Sequence, residues 1–131
     1  MLAQKYRLIG KEVIFLSKKR QYFSAGLFGF FYFQQYAQLP FHQLSFHVTI
    51  KFSKRSVQRH VIKRAVIDYV QNQQLLTKPL WKTYYKFFVV LNKNKLEEFQ
   101  KGIENFTKKD SIKYVQKEFA SSWSKLVIKL R

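Results

Sequence analysis

The chain has 131 residues, 47% of them hydrophobic and 18% aromatic, which is enough apolar material for the core of one domain and excludes a disordered basic tail. Lys and Arg total 25 against 7 Asp and Glu, and the net charge of +18 favours polyanionic partners: nucleic acid, an anionic membrane surface or an acidic protein. No cysteine is present, so disulfides and thiolate chemistry are excluded and a reducing compartment fits.

The first predicted elements are a short helix and an aromatic strand. Within Arg7 to Arg20, apolar residues around Phe15 are followed by cations, which suit the C-terminus of a helix. Leu27 to Phe33, LFGFFYF, is apolar at both parities except at Gly29, so both strand faces should be covered or meet a ligand. The polar segment Gln34 to Gln43 resembles a hairpin connection, and we expect this strand to pair antiparallel with the next one.

A second strand leads into a helix. Every second residue from Phe46 to Phe52 is apolar, which is the pattern of a strand with one buried face. From Ser53 onward, apolar residues recur every four positions and predict a helix with Ser53 or Ser56 as its N-cap. The predicted apolar stripe consists of Val57, Val61, Ala65 and Tyr69, joined by Ile62 and Val66.

Cations crowd this helix and the turn before it. Arg59 and Lys63 are spaced i, i+4, as are His60 and Arg64, and we place all four opposite the apolar stripe. Like charges at this spacing repel by a few tenths of a kcal/mol per pair, so the cluster favours a bound anion, which we interpret as phosphate. The alternative is an ordinary solvated helix face. With the cations of the turn, the predicted phosphate-binding set is Lys51, Lys54, Arg55, Arg59, His60, Lys63 and Arg64.

The rest of the chain predicts one strand and two helices. Trp81 to Leu91 ends in an apolar run typical of a buried strand. Leu96 to Phe106 has helical spacing, and Ile112 to Leu130 carries a longer helical stripe. The order helix, strand, strand, helix, strand, helices predicts a single α+β domain over residues 1–131, with helices packed on a small mixed sheet.

The segment Ile50 to Arg64, IKFSKRSVQRHVIKR, resembles the signature SKKxGxAxxRNxxKR of the protein subunit of bacterial ribonuclease P, which runs off a strand into a helix. Lys51 matches the first Lys of the signature, Arg59 matches its Arg, and Lys63 and Arg64 match the closing Lys-Arg pair. The departures are Ile50, Phe52, Lys54, Ser56 and His60, the last of which replaces the family's Asn.

The resemblance implies a ribonuclease P protein-like α/β sandwich. The helical spacing of Leu96 to Phe106 adds a short helix that the family pattern does not include. The resemblance also implies the non-catalytic subunit of an endonuclease in which the RNA subunit hydrolyses precursor tRNA with Mg²⁺, so that the protein alone holds no cofactor. The implied partners are ribonuclease P RNA and precursor tRNA, whose 5′ leader the protein would help to bind. Phe15, Phe30 and Tyr32 are the expected leader contacts, with core packing as their alternative.

No catalytic or metal-binding arrangement is visible in the sequence. The acids and histidines lack ligand or acid–base spacing, and the four glycines are isolated. The N-terminal stretch lacks a signal-type apolar segment, and the longest apolar run, Ala25 to Phe33, is shorter than the roughly 20 residues that span a bilayer. We therefore expect a cytoplasmic protein without stable membrane association.

Two alternatives stay open at this point. The first is another structured-RNA-binding protein, such as a ribosome-associated one, which would share the charge. The second is a basic membrane-surface protein, for which the stripe from Ile112 to Leu130 would have to bind anionic lipid.

Overall fold

The computed structural model describes residues 2–19, 21–35, 39–49, 52, 55–103 and 107–130. Over these residues it has an α+β fold in which helices pack on a four-stranded mixed sheet. The elements in chain order are α1 (Gly10–Lys18), β1 (Tyr22–Ala25), β2 (Phe28–Gln34), β3 (Gln43–His47), α2 (Ser56–Asn72), β4 (Tyr85–Leu91), α3 (Leu96–Ile103) and α4 (Lys108–Lys129). The predicted fold class, including the additional short helix before the last one, is therefore confirmed.

The strand order in the sheet is β1-β2-β4-β3. β4 pairs antiparallel with β2 and parallel with β3, so the predicted pairing of the aromatic strand with its successor in sequence is wrong. The central place of β4 suits its sequence, YKFFVVL, because a strand with neighbours on both sides is the one most covered by apolar layers. The sequence prediction also missed β1, which forms a hairpin with β2 through Gly26, a residue whose φ of +59° favours glycine.

The strand predicted over Phe46 to Phe52 lies earlier, at Gln43–His47. Its last residue, His47, pairs with Val90, and only Leu91 of β4 remains beyond that point. The hydrogen-bonded pairing of β3 with β4 ends here because β4 offers almost no further residues. Val48 is nevertheless buried, so every second side chain remains buried beyond the end of the strand. An alternating pattern therefore located the buried side chains and misplaced the strand.

The core lies on one face of the sheet, under α2 and α4. Phe119 of α4 is fully buried and contacts Phe28 and Phe30 of β2 with ring centroids 5.3 and 6.1 Å apart. Its ring also meets Tyr69 of α2 at 5.8 Å, while Gln116 of α4 donates a hydrogen bond to the carbonyl oxygen of Ala65 at 3.1 Å. The two helices thus form one layer. The predicted stripe of α4 is buried in this core at Val115, Phe119, Trp123 and Leu126.

The opposite face of the sheet is covered at one end by α1. Lys86 of β4 points to this side and forms an ion pair with Glu12 of α1. Lys86 also donates to the side-chain oxygen of Gln43 in β3, so one buried amine joins a helix and two strands. The other end of this face is more open, and it becomes part of the candidate site described below.

Candidate RNA interface

Helix α2 and its N-cap carry exposed basic side chains on the outer side. Arg55, His60, Lys63 and Arg64 are exposed, and these four residues are named the basic surface. The predicted placement of His60, Lys63 and Arg64 away from the core is confirmed. Arg59 is half-buried, because it lies three and seven positions before the fully buried Ile62 and Val66, so its placement opposite the apolar stripe is wrong. The predicted contacts Lys51 and Lys54 lie outside the described residues.

The first turn of α2 differs from its prediction. The helix begins at Ser56 with Arg55 as N-cap, so Ser56 is not the cap, and Ser53 lies outside the described residues. Val57, predicted at the start of the apolar stripe, is 74% exposed. Burial of the helix begins only at Ile62, which leaves the first turn projecting into solvent beside the basic surface.

The charges of α2 run against its dipole. Helices α1, α3 and α4 each carry an acid in the first turn and a Lys in the last, the arrangement that the dipole favours. The first turn of α2 has no acid and its last turn has no base, while Arg55 lies at the positive N-terminus. A bound anion would relieve this arrangement, because it would meet both the side-chain cations and the unpaired helix N–H groups.

In the basic surface, Lys63 and Arg64 form no ion pair with a described residue. The described residues form the pairs Lys86–Glu12, Lys95–Glu98 and Lys101–Glu97. Neither Lys63 nor Arg64 takes part in them, and Asp68, one turn beyond Arg64, forms no ion pair with a described residue either. These two cations therefore keep their charge available for an external anion.

A row of aromatic rings crosses the open end of the second sheet face. Tyr22 of β1 contacts Phe31 of β2 with ring centroids 4.7 Å apart. Phe31 stacks on Phe88 of β4 at 5.8 Å and an interplanar angle of 23°. These three residues are named the aromatic row. Phe31 and Phe88 are half-buried and Tyr22 is 40% exposed, so the row offers ring surface to solvent.

Gly29 makes room for this row. A Cβ built on Gly29 would lie 2.0 Å from the hydroxyl oxygen of Tyr22, which is impossible without displacement of the ring. The Tyr22 side chain therefore lies across the backbone of β2 at Gly29. Any larger residue at position 29 would lift the ring from the sheet.

Helix α1 adds a second aromatic pair beside the row. Phe15 of α1 meets Phe33 of β2 edge to face, with ring centroids 5.3 Å apart. The amine of Lys19 lies over both rings, at 5.0 Å from the centre of Phe15 and 5.8 Å from that of Phe33. This cation–π cluster brings positive charge to an aromatic surface.

The three predicted leader contacts have different environments. Phe15 is half-buried next to the open face, and its contact role stays a prediction. Phe30 is fully buried between the sheet and α4, so it cannot present its ring to a ligand and its assignment is wrong. Tyr32 has the same parity as Phe30 and packs against Tyr85 at 6.3 Å, but it is only half-buried.

Sequence reasoning missed Tyr22, Phe31 and Phe88 as candidate contacts. In β2 the apolar residues occupy both parities, so the sequence does not tell which rings face α4. The open face contains Phe31 and Phe33 rather than Phe30 and Tyr32. The register with β4, where Phe31 lies opposite Phe88, is the information that the sequence lacks.

The buried His42 is held by two backbone groups. His42 is fully buried: its Nδ1 accepts the N–H of Tyr85 at 2.8 Å and its Nε2 lies 2.7 Å from the carbonyl oxygen of Lys78. Burial lowers the pKa of His42, so the ring is a neutral structural link. No group of three or more His, Cys, Asp or Glu residues suited to a metal occurs among the described residues.

Comparison with solved structures identifies the fold of the chain. No known family and no curated protein matches the sequence. Among solved structures, the RNase P protein from Thermotoga maritima superposes with a TM-score of 0.63 at 17% identity, covering 87% of this chain and 91% of its own. The RNase P protein of Staphylococcus aureus gives a TM-score of 0.57 at 17% identity, with 89% and 97% covered. The chain therefore has the fold of bacterial ribonuclease P proteins.

Proposed function

We propose that this protein is the protein subunit of a ribonuclease P, which binds the catalytic RNA and the 5′ leader of precursor tRNA. The observation that carries the proposal is the basic surface of α2, which lies on a ribonuclease P protein-like fold at the segment that resembles the family signature. The chain would act in the cytoplasm as the non-catalytic part of an RNA-processing endonuclease. Mg²⁺ would be bound through the RNA.

The basic surface would bind the phosphate backbone of the catalytic RNA. Lys63 and Arg64 supply exposed charge, and the N-terminal turn of α2 adds N–H groups and the positive end of the dipole. Such contacts fix position and carry little sequence information, because each phosphate is alike. Binding should therefore weaken steeply as salt concentration rises.

The aromatic row would bind the 5′ leader. A leader is single-stranded, and unpaired bases stack on exposed aromatic rings with about 1 to 3 kcal/mol per base. Phe31 and Phe88 are nearly parallel and half-buried, so they form a fixed platform rather than mobile side chains. Lys19, above Phe15 and Phe33, would meet phosphates of the same strand.

The test is cleavage of precursor tRNA by the ribonuclease P RNA of the same organism at low Mg²⁺, with and without the protein. The decisive variant is Lys63→Ala with Arg64→Ala, because both side chains are exposed and their removal leaves the core intact. Its matched control is Lys95→Ala with Lys101→Ala, which removes the same charge just before and within α3. We expect rescue by the wild type and the control but not by the decisive variant. Tight RNA binding without rescue by the wild type would contradict the proposal.

Another structured-RNA-binding function is the second candidate, since the basic surface would suit any RNA backbone. It predicts RNA binding without rescue of cleavage. A membrane-surface function is less favoured, because the apolar stripe of α4 is buried in the core at Phe119 and Leu126. No helix among the described residues has the length and apolar content needed to cross a membrane.

A further inference from the structure

A tight turn before β4 has an unusual backbone. Leu80 and Thr83 exchange two backbone hydrogen bonds, of 2.8 and 3.0 Å, around the two-residue loop Trp81-Lys82. Both loop residues have positive φ, +54° and +67°. Two-residue loops of this kind favour Asn-Gly, because bulky side chains are strained at positive φ. The sequence nevertheless holds a Trp and a Lys at these strained positions, which indicates a functional use.

The turn holds the Trp81 indole in place while leaving it accessible. The indole N–H donates to the carbonyl oxygen of Val127, near the end of α4, at 2.7 Å. This carbonyl belongs to the last turn of the helix, where backbone acceptors lack helical partners. Trp81 is nevertheless 48% exposed, whereas Trp123, the other tryptophan of the chain, is 7% exposed in the core.

The surroundings of Trp81 are positively charged. Lys82 is its neighbour in the turn, Lys78 lies just before the turn, and Lys129 lies in the last turn of α4; all three are exposed. The sequence has no acid from residue 69 to 96 or from residue 119 to 131. A fixed aromatic ring among cations suits a strand that carries both bases and phosphates.

We propose that the Trp81 turn is a second RNA-binding site, which takes one unpaired nucleotide by stacking its base on the indole while Lys82 meets a neighbouring phosphate. This inference rests on the RNA-binding part of the proposed function and not on cleavage. The site is distinct from the aromatic row, since Trp81 is tied to α4 on the core side of the sheet and the row lies on the opposite face.

A membrane surface is the competing ligand, because Trp81 and the 70% exposed Ile128 could both enter lipid. Interfacial binding, however, requires a continuous apolar face. The apolar residues of α4 from Phe119 to Leu126 are occupied by the core. Single-stranded RNA therefore fits the Trp81 turn better.

Fluorine NMR on the full chain labelled with fluorotryptophan tests the site directly, because the two tryptophans give separate signals. We expect a short oligouridylate to shift the signal of Trp81 and to leave that of Trp123 unchanged. Binding of the oligonucleotide without a shift of Trp81 would overturn the proposal. A shift with phosphatidylglycerol vesicles and none with RNA would overturn it in favour of lipid.

Two matched variants separate stacking from a structural role. Trp81→Phe and Trp81→Leu both lose the hydrogen bond to Val127, but only Phe keeps an aromatic plane. We expect Leu to weaken oligouridylate binding about tenfold and Phe to retain most of the affinity. Equal losses in both variants would contradict stacking.

The charge of Lys82 is tested by Lys82→Asn, since Asn tolerates positive φ and the turn should persist. We expect the slope of log affinity against log salt to fall by about 0.7, the value for one phosphate of a single strand. An unchanged slope would mean that Lys82 does not contact a phosphate. Rescue of precursor tRNA cleavage is measured separately, so failure of cleavage and failure of the Trp81 turn remain distinguishable.

Discussion

Glu12 and Lys86 join helix α1 to the sheet through a largely buried ion pair. The side chain of Lys86 is 3% exposed and that of Glu12 is 18% exposed. Glu12 also caps its own helix, since its second carboxylate oxygen accepts the N–H of Ile9 at 3.4 Å. One carboxylate thus fixes both the start of α1 and its position on the strands.

Removing the carboxylate of Glu12 should lower the free energy of unfolding more than removing the amine of Lys86. Glu12→Gln leaves a buried ammonium without its counter-charge, and we expect a loss of about 3 kcal/mol in the free energy of unfolding. Lys86→Met should cost less, because the partly exposed Glu12 can turn to water. Denaturant unfolding of both single variants and the double variant measures the coupling. Additive effects in this cycle would contradict the pairing.

His42 makes stability depend on pH. Burial lowers its pKa below the ordinary 6.5, so the unfolded chain binds a proton more readily than the folded one. The stabilisation is complete above pH 6.5 and is lost progressively as pH falls toward the folded pKa. Protonation would also place a hydrogen on Nδ1 against the N–H of Tyr85.

The measurement is thermal unfolding of wild type and His42→Gln across this pH range. Gln cannot titrate, so we expect a shallower fall in melting temperature on acidification than in the wild type. His47→Gln is the control, because it removes an exposed histidine and leaves the buried one in place. Parallel curves for wild type and His42→Gln would refute the assignment.

The aromatic row should distinguish precursor from mature tRNA. With Phe31→Leu or Phe88→Leu, we expect the ribonucleoprotein to lose about tenfold in affinity for precursor tRNA and little for mature tRNA, because only the precursor has a leader to stack. Phe23→Leu is the matched control, since half-buried Phe23 pairs with Phe30 on the core face. Equal losses for both tRNAs would argue against a leader contact.

The same residues indicate what the sequence could predict. Helical spacing located the buried Ile62, Ala65 and Val66 of α2, because burial repeats with the period of the helix. It misassigned Val57, since the first turn extends beyond the layer that covers the rest of the helix. The periodicity of a helix shows which face is apolar, but it does not show how far along the helix the neighbouring elements cover that face.

The pairing of the strands could not be predicted from the sequence. β2 and β3 are consecutive in sequence, but β4 inserts between them, and nothing in a local pattern encodes that choice. Because the sequence does not show which elements pack on each strand, it also led to Phe30 as a candidate contact in place of Phe31. With aromatic residues at both parities, only the position of α4 decides which face of β2 is the core.

Salt dependence should reveal which cations meet phosphate. For binding to the ribonuclease P RNA, we expect Lys63→Gln and Arg64→Gln each to reduce the slope of log affinity against log salt by about 0.7 to 0.9. Lys101→Gln, whose amine pairs with Glu97 at 3.1 Å on α3, changes the net charge equally and should leave the slope unchanged. Equal slopes for all three variants would mean that total charge, and not the basic surface, drives binding.

Gly29 and Tyr22 should behave as a coupled pair. Gly29→Ala introduces a Cβ that overlaps the Tyr22 ring, so the ring must leave the sheet and the aromatic row loses one member. We expect a loss of stability of about 1 to 3 kcal/mol in the wild-type background. In a Tyr22→Ala background the obstacle is gone, and the same Gly29→Ala change should cost much less. Denaturant unfolding of the four proteins gives the coupling energy. A value near zero would mean that Tyr22 does not lie across Gly29 in solution.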